Sequence, residues 1–369
     1  MSGPTARRRL LILLGLAAPS LVAALAALAL MQWHKPTRVQ LDLLVDRVAL
    51  TVAADRPEEG FATLIGPANV GALRAQRVGR VAFAPHALEI ADEARFDLKA
   101  NRFPDDAWRP LAVAGEVVLE PAAGGDGAVS LESADAASPG RTRLVSVPAG
   151  AEVVMELGRE RGGTRTWLTL ELNTPRARAD LVFPGRFVVY ADDLGLAGPG
   201  GAGLSAESLS LRSGDGGNTA VEVLGSERGQ VLQIEPADPA AALLAEGEIQ
   251  IPVAAVDFDR QGPSGQRLSS IIGPGTLSYP DLPDMAPVAL SPGEFVSLDG
   301  LDGARVEKLG VVDAGDRPAL ALTLDAVASA VGVGTPERPE DARLTWFDQL
   351  WHEPTLATLF AITVWFFTT

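Results

Sequence analysis

The sequence predicts a mainly β fold, a β-sandwich or an elongated β-roll, flanked by an N-terminal transmembrane helix and a short hydrophobic C-terminal helix. Three observations carry that expectation. Short apolar runs alternate with polar residues at period two. Gly and Pro, 38 and 27 of the 369 residues, punctuate those runs without a fixed repeat, as an all-β fold with many turns requires. An uncharged apolar stretch lies near each end.

The first stretch is Leu10–Met31, 22 residues without a charge, preceded by Arg7-Arg8-Arg9. At about 1.5 Å per residue a helix of that length spans roughly 33 Å, enough for a hydrocarbon core of about 30 Å. Pro19 and Ser20 interrupt it as a mild kink that membrane helices tolerate. Ala27-Leu28-Ala29 has the small-x-small form of a signal cleavage site. The stretch nevertheless exceeds the roughly 7–15 apolar residues of a signal peptide. An uncleaved helix over 10–32 is therefore expected, with residues 1–9 as a basic cytoplasmic tail. Only Lys35 and Arg38 follow closely, so the charge asymmetry places the bulk of the chain outside the cytoplasm. Trp33 and Lys35 fall where membrane-interface residues belong.

From Val39 the pattern changes to alternation. Val39, Leu41, Leu43 and Val45, then Val48, Leu50 and Val52, predict a strand pair or one bent strand with a half-buried face. Similar runs recur at 113–119, 152–157, 166–172, 186–190, 208–211, 220–224, 231–234, 248–253 and 319–324, each followed by Gly, Pro, Asp or Asn. The expected extracytoplasmic region is 38–345, as one domain or as two subdomains dividing near 134–150. Helical signals inside it are brief. Asp238-Pro239 to Gly247 carries an N-cap, a proline at N1 and a closing glycine, and 264–272 is a weaker candidate. Thr335–Asp341 reads as a polar linker.

The second apolar stretch is Pro354–Thr369, roughly 24 Å as a helix and short for a full crossing. Pro354 suits the first helical position, and Glu353 suits the positive end of a helix dipole. Trp346, Phe347, Leu350 and Trp351 share one helical face just upstream and predict an interfacial turn within 346–369. Trp33-His34-Lys35-Pro36 and Trp351-His352-Glu353-Pro354 echo each other, so Lys35 and Glu353 are expected to face each other at one membrane surface. The interface set is Trp33, Lys35, Trp346, Trp351 and Glu353.

Composition excludes several functions. The net charge of −16 repels phosphate backbones and argues against nucleic acid as a partner. With no cysteine there is no disulfide, thiolate catalysis or zinc–thiolate site. Arg outnumbers Lys 28 to 3, which reads as the coding bias of a GC-rich bacterial genome. Gly198-Pro-Gly200-Gly201-Ala-Gly203 matches G-x-G-x-x-G literally, but an alternating run follows it where a dinucleotide site needs a helix, so no nucleotide is expected. His86 is the one histidine away from the predicted membrane boundaries, and no G-x-S-x-G elbow accompanies it.

Carboxylates pair by abundance at Asp105-Asp106, Asp192-Asp193, Asp281 with Asp284 and Asp299 with Asp302. Asp299-Gly-Leu-Asp302-Gly, near Asp313 and Asp316, offers calcium-type oxygens but lacks the EF-hand order, and Asp-Gly favours a turn. Trp108, Trp167, Tyr190 and Tyr279 are the only Trp and Tyr of the exported region, with core packing as their default.

No cofactor, metal or catalytic residue is expected. The leading expectation is a non-enzymatic scaffold or accessory subunit of a bacterial envelope complex in the inner membrane, touching lipid through both termini and holding protein partners. The alternatives are a lipid- or glycan-handling envelope protein and, more remotely, an exported carboxylate-dependent hydrolase.

Overall fold

The alternation that begins at Val39 forms two strands in succession, β1 (Thr37–Val45) and β2 (Arg47–Val52), each burying every second side chain. The computed structural model describes residues 34–345 except 54–60, 66–67, 113–114, 122–124, 136, 161–164, 176, 198–207, 215–216, 238–250, 315–316 and 337. It also describes Asp348, His352, Thr358 and Ile362. The predicted transmembrane helix over 10–32, Trp33, Gly198–Gly203 and the helix predicted within 238–247 lie outside these residues.

The chain continues through β3 (Phe61–Ile65), β4 (Ala68–Phe83), β5 (Leu88–Ala91), β6 (Trp108–Leu111), β7 (Val117–Pro121) and β8 (Gly127–Ser133). Next come β9 (Gly140–Pro148), β10 (Glu152–Arg159), β11 (Thr166–Leu172), β12 (Arg178–Phe183), β13 (Phe187–Asp192) and β14 (Leu194–Ala197). Then follow β15 (Ser208–Ser213), β16 (Thr219–Gly225), β17 (Gln230–Pro236), β18 (Ile251–Asp257), β19 (Asp259–Gln261) and β20 (Arg267–Ser269). The last are β21 (Gly275–Ser278), β22 (Val288–Leu290), β23 (Phe295–Asp313), β24 (Pro318–Thr335) and β25 (Arg338–Asp341). The protein is mainly β, and every described pairing between these strands is antiparallel. Hydrogen bonds join 23 strands into one system, and β19–β20 form a separate hairpin.

The end that receives both termini is the sheet β22–β21–β1–β24–β23. β18 pairs with β23 through Ile251 and Pro252 and then with β2, carrying the hydrogen bonding into a second, larger sheet. There the order is β2–β10–β11–β17–β4–β8–β13–β15–β5–β6. β9, β12 and β16 form a further layer that begins and ends on β4, pairing with residues 68–70 and with residues 78–83. Residues 140–148, within the stretch where the sequence suggested a division, are β9 of this layer.

One continuous apolar core runs through both sheets, from Val39 and Leu324 to Leu211 and Phe187. Phe183 stacks on Phe187 at 4.7 Å, and Phe83 meets Phe187 edge-on at 5.8 Å, an arrangement that suits the ring quadrupoles.

Two expectations are corrected. Residues 264–272 are not helical: Pro263-Ser264-Gly265 makes the turn of the β19–β20 hairpin, with Gly265 at φ +75°. Thr335–Asp341 is not a linker, because β25 folds back on β24. β25 is exposed throughout, and its charges and Pro339 keep that sheet edge from recruiting another strand.

Candidate functional site

Three places combine polar side chains with geometry that a β core alone does not require. The first is where the two ends of the described body meet. His34 and Thr345 form an antiparallel bridge, and the Lys35 N–H donates to the Leu344 carbonyl at 3.4 Å. Thr37, 1% exposed, donates from Oγ1 to the Lys35 carbonyl at 2.9 Å and accepts the Leu344 N–H at 3.2 Å. Tyr279 donates to the Ala342 carbonyl at 2.6 Å, and burial pushes its hydroxyl above the ordinary range. Arg343 grips Asp341 at 2.6 Å and holds its carboxyl below the usual value; His34 Nδ1 lies 3.7 Å from the same carboxylate.

Thr345 then caps a helix. Its Oγ1 accepts the Asp348 N–H at 3.2 Å, while the Asp348 carboxylate accepts the Thr345 N–H at 2.9 Å, the reciprocal pattern of a capping box. Asp348, His352, Thr358 and Ile362 are helical. Helical Asp348 and His352 lie upstream of Pro354, in the stretch where the sequence predicts an interfacial helical face, while the Thr345-x-x-Asp348 cap is a signal that reading did not use. Of the interface set, Lys35 stands in the clamp, and Trp346, Trp351 and Glu353 lie outside the described residues, so the Lys35–Glu353 pairing does too. Among the described residues no helix is long and apolar enough to cross a membrane.

The second place is Asp46, the single residue between β1 and β2. Its N–H donates to the Ser270 carbonyl and its carbonyl accepts the Leu157 N–H, both at 3.0 Å, so it passes the chain from one sheet to the other. Arg260 lies 3.2 Å and Arg317 3.9 Å from its Oδ2, whereas its Oδ1 has no hydrogen-bond partner among the described residues. Burial pushes the carboxyl up, and the two arginines offset that only in part. Nearby Asp259, held by Arg267, is pushed up for the same reason.

The third place lies on the outer face of the larger sheet. Strand register aligns Glu235, Ala72, Glu132, Val188, Arg212 and Glu89 in one row across β17–β4–β8–β13–β15–β5. A second row on the same face holds Gln233, Arg74, Ser130, Tyr190 and Ser210. The connection from β5 to β6 folds over one end of these rows. Asp92 caps its first short turn, the Asp92 N–H donates to the Ala107 carbonyl at 3.0 Å, and Arg95 pairs with Asp106. Beneath it, Phe103 packs with Phe96, Trp108 and Tyr190 in a small separate cluster around Ala91 and Ala107. This excursion walls an open cleft of about 660 Å³ that includes Trp108, Tyr190, Arg212, Glu132, Asp105 and Asp135. A second cleft of about 310 Å³, containing Arg74, Arg165 and Glu235, adjoins it, with Glu132 and Ser133 lining both.

Sequence reasoning treated Trp108 and Tyr190 as separate packing residues; the fold brings them together although they lie on strands far apart in the chain. His86 is exposed beside β5, and Trp167 packs over Gly158. Asp299 and Asp302 lie within β23, each followed by a glycine at φ +58°. The sequence read these Asp-Gly steps as turns; both lie inside a long strand, Asp299-Gly300 in unbroken register with β24 and Asp302-Gly303 where the register shifts at a bulge. Among the described residues no cluster of three or more His, Asp or Glu is placed to hold a metal ion. Compared with known protein families and with curated proteins, the chain matches none.

Proposed function

We propose that the protein is a membrane-tethered scaffold of a bacterial envelope complex, an extracytoplasmic β body held to the inner membrane by Leu10–Met31 and by the apolar tail 354–369. The observation that carries this reading is the antiparallel pairing of His34 with Thr345, which brings the two ends of the β body side by side. Both apolar segments then depart from one end of the body. A body fastened at two neighbouring points has little rotational freedom, which suits the display of a fixed surface to protein partners. The capping box at Thr345 adds to this, because it places a helix start directly at the clamp. A lipid carrier would need an apolar channel, and the core between the described layers is filled by Phe83, Phe183 and Phe187.

The test replaces residues 1–33 with a cleavable signal peptide and leaves the tail intact. The product is expected to stay with the membrane fraction or with a partner, and to be released when residues 354–369 are also deleted. A signal-replaced protein that keeps its tail and fractionates as a soluble monomer overturns the two-point attachment.

A further inference from the structure

We propose that the double cleft on the outer face of the larger sheet binds a neutral oligosaccharide. This goes beyond the scaffold reading and is independent of how the chain is attached. The shape comes first. The larger cleft, about 660 Å³, falls in the usual range of about 300–1,000 Å³ for small-ligand sites. The smaller one continues it across Glu132 and Ser133, so the combined site is elongated and open, as a linear chain of rings needs.

The lining supplies matching chemistry. Sugar hydroxyls are donors and acceptors at once and are best met by fixed, planar polar groups. Arg212 is such a group: its guanidinium lies 4.7 Å over the Trp108 ring and is held by Glu89 at 2.6 Å. Ser130 donates to Glu132 Oε1 at 3.2 Å, fixing that carboxylate from one side. Tyr190 lines the cleft, and among the described residues its hydroxyl has no hydrogen-bond partner. Beside these groups the half-buried Trp108 and Tyr190 line the cleft above the buried Phe103, and an exposed aromatic face attracts the weakly positive C–H patches of a sugar.

Charge selects neutrality. In the larger cleft Arg102, Arg186 and Arg212 are matched by Asp105, Glu132 and Asp135, and the whole protein carries −16. An acidic glycan would meet balanced local charge inside a repelling field. An acyl chain would leave these polar groups without water or partners.

The experiment uses the full-length protein in lipid nanodiscs and ligand-observed saturation-transfer NMR. Cellotetraose and tri-N-acetylchitotriose serve as neutral probes, and a hyaluronan tetrasaccharide as the acidic one. At least one neutral probe is expected to bind more tightly than the acidic one. Tyr190→Phe and Glu132→Gln should each weaken that binding about 3- to 10-fold, the usual loss for one hydrogen bond. Tyr190→Phe removes only a hydroxyl without a described partner, so folding is expected to survive it, and circular dichroism checks this. The proposal is overturned if neither neutral probe binds at about 10 mM, tenfold above a weak 1 mM site. It is also overturned if binding is unchanged in both variants, or if the acidic probe binds more tightly.

Discussion

The backbone N–H of Leu344 donates to Oγ1 of Thr37 at 3.2 Å, joining residues 307 positions apart. That bond fastens the C-terminal end of the β body to its N-terminal end, and the hydroxyl serves both sides because it also donates to the Lys35 carbonyl. Thr37→Val keeps the shape and leaves both backbone groups without this partner. The expected cost is about 1–3 kcal/mol, with faster amide exchange at Leu344. Unchanged exchange there would remove the hydroxyl from the clamp.

The charged groups respond to pH in opposite directions. Asp341 is held below its ordinary value of 3.8 by Arg343, so its contribution is present above 3.8 and lost as pH falls through the lower folded value. Asp46 and Asp259 are held above 3.8 by burial. Their contribution is fully present below 3.8 and is lost as pH rises through the raised folded values. The stability of the native protein relative to Asp46→Asn should therefore improve from pH 7 to pH 4. Relative to Asp341→Asn it should hold steady over that range and decline below it. Denaturant unfolding across pH, with both variants, measures the two slopes.

Two glycines of β23 share φ +58° but differ in surroundings. At Gly303 an added Cβ meets nothing within 4 Å, whereas at Gly300 it lies 2.1 Å from Ser329 Oγ. Gly303→Ala should cost only the left-handed backbone penalty, about 1–2 kcal/mol. Gly300→Ala should cost a further 1–3 kcal/mol or so, from crowding against β24. Equal thermal shifts in the two variants would contradict this difference.

Phe187 is fully buried and touches both Phe83 and Phe183. Phe187→Ala should cost about 3–5 kcal/mol, and one cooperative unfolding transition is expected to persist, because a single core links the sheets. A second transition appearing in calorimetry would show that the sheets unfold independently.

The sequence by itself determined which residues alternate, and with that the mainly β class. Thr166–Leu172 is β11 with the boundaries its pattern predicts, since alternation is a local property of the backbone. Longer strands were hidden where the parity breaks. In β4 the register shifts at Arg77, φ +58°, so Leu73 and Ala75 before it and Val78 after it fill the same core from opposite parities. In β23 the Asp-Gly steps have the composition of turns. The chemistry of the outer cleft was invisible for a different reason. Trp108, Glu132, Tyr190 and Arg212 come from four strands, and only long-range register sets them side by side. The clamp has the same origin: Thr37 pairs with Ala328, and the return of β25 along β24 brings Leu344 to Thr37. Local periodicity states which way a side chain points, but pairing between distant strands decides what it meets.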